Sequence, residues 1–125
     1  MNAVVKKLLT GRTGALAENE VKDMLVAYGI PTTRYQVVRT EKDLEKISLK
    51  FPVALKVCSS KILHKTDVGG VQLHIQNSDE LKNAFKEFHK KFPTEALLVD
   101  QMEEKGVGII VGLVQDPTFG LSIMC

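Results

Sequence analysis

Residues 59–70 bring together side chains that could bind and transfer a phosphate group. Lysines can neutralise anionic oxygens, and glycines let backbone N–H groups approach those oxygens closely because they lack a Cβ atom. A loop histidine beside a lysine can act as a base or accept a phosphoryl group on a ring nitrogen. The candidates are Lys61, His64, Lys65, Asp67, Gly69 and Gly70. Their chemistry indicates a site for an anion such as phosphate.

Two strand-like runs, Val53–Cys58 and Val71–Ile75, flank this segment and predict a hairpin that presents it as a loop. Its twelve residues exceed an ordinary hairpin connection, and long connections are commonly functional. Strand side chains alternate between the two faces of a sheet. The polar face would carry Ala54, Lys56, Cys58, Gln72 and His74, and the apolar face Val53, Leu55, Val57, Val71, Leu73 and Ile75. Lys56 would then reach the same anion from the strand.

Each of these residues also has an ordinary structural explanation. A lysine such as Lys56 in mid-strand is more often a solvated charge, and the Gly69–Gly70 pair is typical of a tight turn. Asp67 is as consistent with a turn-forming aspartate as with one that orients the ring of His64. The residues alone therefore indicate an α+β module that handles phosphate, and they do not identify its reaction.

The composition excludes several classes of function. The chain has 125 residues, 44% hydrophobic and 26% charged, which is typical of one globular domain. No apolar run approaches the roughly 18 residues of a membrane span, and no secretion signal is recognisable. The net charge of +2 comes from interleaved lysines and glutamates, so no nucleic-acid partner is expected. Cys58 and Cys125 lack metal-ligand spacing and are expected to be free thiols in the cytoplasm. Asp100, Glu103 and Glu104 lie in a predicted strand and turn, so no metal site is predicted.

Hydrophobic periodicity and capping residues predict the elements that would position the loop. Helices are predicted at Glu18–Tyr28 (with Val21, Met24, Leu25 and Tyr28 inward), Glu41–Lys50 and Asp79–Lys91, and further strands at Arg34–Arg39, Ala96–Met102, Gly108–Gln115 and Phe119–Met124. Gly108–Gln115 is apolar on both sides and is expected to be a central strand. This order predicts an α+β fold: a mainly antiparallel sheet with helices on its apolar face and an open polar face opposite. Residues 1–13 are treated as a lead-in and 14–125 as the domain.

Several segments of this chain resemble one known family. They are Glu20–Gly29 with Ile30–Pro31, Phe51–Lys56, Ile62–Val71, Lys105–Val107, Ile109–Gly112 and Gln115–Gly120. Together they are similar to the N-terminal half of the ATP-grasp (β) subunit of ADP-forming acyl-CoA synthetases. These are acetate–CoA ligases that make ATP from an acyl-CoA, ADP and phosphate. The β subunit of succinyl-CoA synthetase is a more distant resemblance. The family's pattern is broken at Gly108, where glutamate is usual, and at Ser60 and Leu121, where proline is usual.

The resemblance implies roles for particular residues. Lys56 and Lys65 would bind the phosphates of ATP, and the loop at Gly69 and Gly70 would close over them. His64 would carry a phosphoryl group between a phosphohistidine of the partner subunit and the nucleotide. The adenine would lie along residues 99–103, with Gln101, Met102 and Glu103 as its neighbours.

The resemblance also implies cofactors and partners. ATP or ADP and Mg²⁺ are expected, with the Mg²⁺ ligands in a second subdomain beyond Cys125, so the fold is expected to be C-terminally truncated. A CoA-binding α subunit or domain is the expected partner, and the strand at the chain's end could mediate self-association. The 125-residue chain alone is expected to be inactive. The alternative is a non-catalytic remnant of a truncated gene that binds nucleotide or associates with a subunit.

Overall fold

A four-stranded antiparallel sheet and a separate two-stranded hairpin contain all the strands of the structure, a computed structural model that describes residues 1–125. The strands are β1 (Tyr35–Val38), β2 (Val53–Cys58), β3 (Val71–Ile75), β4 (Ala96–Gln101), β5 (Gly112–Asp116) and β6 (Gly120–Met124). The helices are α1 (Ala3–Leu9), α2 (Glu18–Ala27), α3 (Glu41–Leu44) and α4 (Ser78–Lys91). No helix has the length and apolar character needed to cross a bilayer.

The four-stranded sheet has the order β1-β4-β2-β3, and every neighbouring pair is antiparallel. The central strand β4 is buried along five of its six residues, as a strand covered on both faces should be. The predicted fold class, α+β with a mainly antiparallel sheet, is confirmed. The strand predicted at Arg34–Arg39 is shorter by one residue at each end.

Helix α4 closes the core on one face of the sheet. The side chain of Asn77 accepts hydrogen bonds from the N–H groups of Asp79 and Glu80, at 3.1 and 3.0 Å, and so caps the helix. Its apolar side chains are buried, and the helix contacts β2 and β3. That core contains Leu81, Ala84, Phe85 and Phe88 of the helix with Val53, Leu55, Val57, Leu97 and Val99 of the strands.

The opposite face of the sheet, expected to be open, is contacted by polar side chains of α2. The thiol of Cys58 donates to Oδ1 of Asn19 at 2.9 Å, and ion pairs join the same helix to β2 and β4. Tyr28, predicted to face inward, is exposed. The side of α2 that meets the sheet is thus its polar side. Helix α1, which the sequence did not predict, packs on α2 through the buried Val5.

The predicted alternation of the hairpin holds for β2 but is wrong for β3. Lys56 pairs with Val71, and Leu55 with Gln72, so Val71 lies on the face of Lys56. One extra residue before Ile75 then restores the pairing of Ile75 with Val53. This bulge includes His74, whose φ is +58°, and such bulges shift every later side chain to the other face. Leu73 is consequently exposed rather than part of the core.

Two other predicted elements are corrected. The second helix ends at Leu44 instead of Lys50. The side chain of Gln36 accepts from the N–H of Ser48 at 2.8 Å and donates to the carbonyl of Lys46 at 3.1 Å, which draws the chain towards β1. Gly108–Gln115 is not a central strand: only Gly112–Asp116 is a strand, and it pairs with β6 alone in an exposed hairpin.

Candidate phosphate-binding site

Lys56 lies in mid-strand on the face that α2 covers, and it is not a freely solvated charge. Its Nζ donates to Oε1 of Glu18 and to Oδ2 of Asp100, both at 2.9 Å. Burial opposes the charged form of Lys56, but the hydrogen bonds and charges of Glu18 and Asp100 outweigh it and raise the pKa of the amine. Lys56 is therefore a fully charged ammonium held in a fixed position at the base of the loop.

Lys65 reaches the same place from the loop. Its Nζ forms an ion pair with Oε2 of Glu18, so one carboxylate accepts from both lysines. Burial alone would raise the pKa of Glu18, but the hydrogen bonds from Lys65 and Lys56 and their charges lower it below the ordinary value. Two predicted phosphate ligands thus converge on one anion, here a protein carboxylate.

Asp100 anchors the other side of Lys56. Its Oδ1 accepts from Oγ1 of Thr33 at 2.6 Å and from Nζ of Lys22 at 3.2 Å, while Oδ2 accepts from Lys56. Lys22 is buried and also donates to Thr32 and Thr33. Burial acts to raise the pKa of Asp100, but Thr33, Lys56 and Lys22 lower it overall. The result is a row of alternating charges from Lys22 to Lys65.

Sequence reasoning missed three members of this row. Asp100 was given no role, and Glu18 and Lys22 were not considered as site residues. The available signal was their spacing, because Glu18 and Lys22 are four positions apart and share one side of α2.

His64 lies in the loop next to Lys65 and is exposed. It lines a cavity of about 390 Å³ together with Glu18, Lys56, Lys65 and Asp67. The structure thus brings His64 to the same cavity as both lysines. Asp67 also lines the cavity, but no hydrogen bond joins its carboxylate to His64.

Gly69 and Gly70 close the base of the loop; the backbone conformation favours glycine at position 69, and packing requires it at position 70. Gly69 has a φ of +64°, and a Cβ atom on Gly70 would lie 2.5 Å from Cγ1 of Val57 and 3.1 Å from the carbonyl oxygen of Lys65. Their N–H groups donate within the loop, from Gly69 to the carbonyl of Thr66 at 3.0 Å and from Gly70 to that of Lys65 at 2.7 Å. Binding of phosphate by these amides stays a prediction, and it would require the loop to change conformation.

The residues predicted to line the adenine lie where β4 ends. The N–H of Met102 donates to the carbonyl of Pro52 at 3.1 Å, and its Sδ accepts from the N–H of His74 at 3.2 Å. The side-chain carbonyl of Gln101 accepts from the N–H of Lys50 at 3.1 Å, while Glu103 is exposed. These contacts fix the position of the segment, and its role with adenine stays a prediction.

No group of three or more histidine, cysteine, aspartate or glutamate residues is arranged to hold a metal ion. The carboxylates at the site are already paired with lysines, which leaves them poor ligands for a cation.

Fold and site together define an α+β protein in which a strand lysine and a loop lysine share one carboxylate beside a cavity. A protein-family model described as an ATP-grasp domain matches residues 7–125, and the chain belongs to this family. It is 35% identical over 118 residues to the β subunit of acetate–CoA ligase (ADP-forming) I of Pyrococcus furiosus, an alignment covering 87% of this chain and 51% of that subunit.

Two solved structures are also similar to this chain in sequence and fold. ACD1 of Ca. Korarchaeum cryptofilum in complex with coenzyme A is 34% identical, with a TM-score of 0.78 over 94% of this chain and 56% of that one. Another structure from that organism, a dinucleotide-forming acetyl-coenzyme A synthetase with coenzyme A and Mg-AMPPCP, has its phosphohistidine segment pointing towards the nucleotide-binding site. It is 32% identical, with a TM-score of 0.68 over 94% of this chain and 54% of that one. The chain spans about half the length of the relatives it matches.

Proposed function

We propose that this chain is the nucleotide-binding part of an ADP-forming acyl-CoA synthetase. The complete enzyme would interconvert acyl-CoA, ADP and phosphate with the carboxylic acid, CoA and ATP. The observation that carries the proposal is the convergence of Lys56 and Lys65 on one anion, beside a cavity that His64 also lines. Similarity to a subunit of an ADP-forming acetate–CoA ligase supports the choice of reaction.

Lys56 and Lys65 would bind the phosphate oxygens of ATP or ADP, one from the strand and one from the loop. Phosphoryl transfer depends mainly on positioning and on neutralising negative charge, which is what two fixed ammonium groups provide. Gly69 and Gly70 would let the loop close over the phosphates, and Gln101, Met102 and Glu103 would lie along the adenine. Mg²⁺ would accompany the nucleotide, with its ligands in a second subdomain of the complete enzyme.

His64 would accept a phosphoryl group and pass it on. An unprotonated ring nitrogen attacks the phosphorus of the partner's phosphohistidine, so one N–P bond forms as the other breaks. The terminal oxygen of ADP then attacks the same phosphorus, which forms ATP and restores neutral His64. The loop position suits a group that must meet both a donor and an acceptor.

The proposed partner is a CoA-binding α subunit or domain, since the acyl and CoA chemistry needs groups that this site lacks. A solved relative that contains both coenzyme A and a nucleotide analogue supports this assignment. Intracellular function in the cytoplasm is part of the same proposal.

A second candidate is a non-catalytic module that binds nucleotide or associates with a subunit. The observation that favours it is the β5–β6 hairpin, whose apolar side chains are largely exposed and available to another surface. Phosphorylation of His64 in a reconstituted complex separates the two candidates, because a purely structural module would carry no label.

The nucleotide site is tested by titrating the chain with ATP and following amide and lysine signals by NMR. One face of the ligand would remain in water, so we expect a dissociation constant of order 1 mM, about 4 kcal/mol. Lys56→Met should weaken binding at least several-fold, since a charge-assisted contact contributes roughly 1–3 kcal/mol in a complete site. Lys82→Met is the matched control, because Lys82 is exposed on α4 and does not line the cavity. Equal affinities of wild type and Lys56→Met for ATP would show that Lys56 does not bind the nucleotide.

A further inference from the structure

We infer that Glu18 is an internal substitute for phosphate: it holds Lys56 and Lys65 in the absence of nucleotide and is displaced by the phosphate chain that binds them. This rests on the proposed function, since it takes both lysines to be phosphate ligands. It adds a third residue, on a different element, that sets the affinity of the site and the freedom of the loop.

The two carboxylates at Lys56 differ in how they are held. Asp100 also accepts from Thr33 and Lys22, so it keeps two partners when Lys56 turns to another anion. Glu18 accepts only from Lys56 and Lys65. A phosphate chain that engages both lysines therefore removes every partner of Glu18 and leaves Asp100 in place.

Displacement of Glu18 is physically inexpensive. Its side chain is 25% exposed, so the carboxylate can rotate into water. Glu18 is also the first residue of α2, where the helix dipole favours a negative charge even without a lysine. Remaining beside a bound phosphate would instead bring like charges together at short distance. Phosphate and Glu18 should thus exclude each other.

The exchange has a consequence for His64. The ion pair with Glu18 fixes the side chain of Lys65 to α2, and the carbonyl of Lys65 is held by the N–H of Gly70. His64 is the adjacent residue, so the ion pair restrains the segment that carries it. When the phosphate chain replaces Glu18, Lys65 is held by the bound nucleotide instead of by α2, so the segment that carries His64 can move with the nucleotide.

The test uses the 125-residue chain and two probes, tripolyphosphate and adenosine, titrated by NMR at low salt. Glu18→Gln should bind tripolyphosphate about two- to tenfold more tightly than wild type, because a competing ion pair is removed. Adenosine, which has no phosphate, should bind both equally. Glu20→Gln is the matched control: it removes the same charge from the same helix, but Glu20 pairs with Arg12. The inference would be overturned if Glu18→Gln bound tripolyphosphate no more tightly than Glu20→Gln. Glu18 would then position the two lysines for the ligand instead of competing with it.

A second measurement needs no variant. The carboxyl carbon of Glu18 should titrate below its ordinary pKa in the free protein and at higher pH when tripolyphosphate is saturating, since the lysines are then occupied. A titration midpoint that does not move would contradict displacement. Failure of the proposed function looks different: tripolyphosphate would then bind wild type and Lys56→Met equally, whatever Glu18 does.

Discussion

The carboxylate of Glu18 accepts a hydrogen bond of 2.9 Å from Nζ of Lys56, although 38 positions separate the two residues. Lys56 is fixed by the pairing of β2 with β4, and Glu18 is fixed as the first residue of α2. This contact, together with the ion pair of Glu18 to Lys65, brings helix, strand and loop to one point.

The paired carboxylates predict a loss of stability in acid. Burial acts against both charges, but hydrogen bonds and lysines hold the pKa of Glu18 and of Asp100 below 4.5 and 3.8. A carboxyl group with a lowered folded-state pKa stabilises the fold above its unfolded-state pKa, and that stability disappears as the pH falls through the folded-state value. We therefore expect the free energy of unfolding, measured with urea, to decline as the pH falls below about 4.5.

Two variants check the source of that decline. Asp100→Asn removes one of the shifted groups and should make the decline with falling pH shallower. Glu87→Gln removes an exposed charge from α4 and should leave the slope as in wild type. If Asp100→Asn and wild type lost stability with the same slope, the buried ion pairs would not be responsible.

Gly70→Ala should destabilise the protein by roughly 1–3 kcal/mol, as overpacking of a filled site does. The added Cβ atom would lie 2.5 Å from Cγ1 of Val57, a buried residue of the core. Gly106→Ala is the control, because nothing lies within 4 Å of a Cβ atom at that position. Thermal unfolding of the two variants gives the comparison, and equal midpoints would show that the loop base adapts freely.

The β5–β6 hairpin should mediate self-association of the chain. Its residues Leu121 and Ile123 are 69% and 76% exposed and lie on one face with Leu113. Light scattering should show a mass that increases with concentration, and Leu121→Ser with Ile123→Ser should reduce that increase. Val114→Ser, on the other face of the hairpin, is the matched control. A wild-type chain that stays monomeric at high concentration would contradict self-association through this hairpin.

The sequence predicts best those elements whose local pattern of apolar and capping residues favours a single structure. Helix α4 has an apolar stripe, a capping asparagine and oppositely charged ends, and it forms where these signals place it. Strand β2 follows its alternation because β4 covers it on one edge and pairs it in continuous register. The antiparallel fold class followed from these elements and their order.

The features that sequence could not supply depend on contacts between distant segments. One extra residue at His74 places Val71 on the opposite face of the sheet from the one predicted, and no local sequence pattern indicates this bulge. The sequence predicts a central strand at Gly108–Gln115, yet Ile109, Ile110 and Val111 are exposed and lie outside the sheet. Apolar composition alone does not say which surface will cover a segment. Glu18 and Lys22 acquire partners only when α2 folds over the polar face of the sheet, so their role could not be read from position alone.

The central claim is that His64 carries a phosphoryl group, and the most direct test follows labelled phosphate. In a complex reconstituted with the partner subunit, acyl-CoA and radiolabelled phosphate, label should appear on this chain as an acid-labile, base-stable adduct. It should be lost in His64→Ala, while the partner's own phosphohistidine still forms. His89→Ala is the matched control, because His89 is stacked on Phe85 of α4 and does not line the cavity. Full ATP synthesis by His64→Ala, or label on another residue of this chain, would contradict the account.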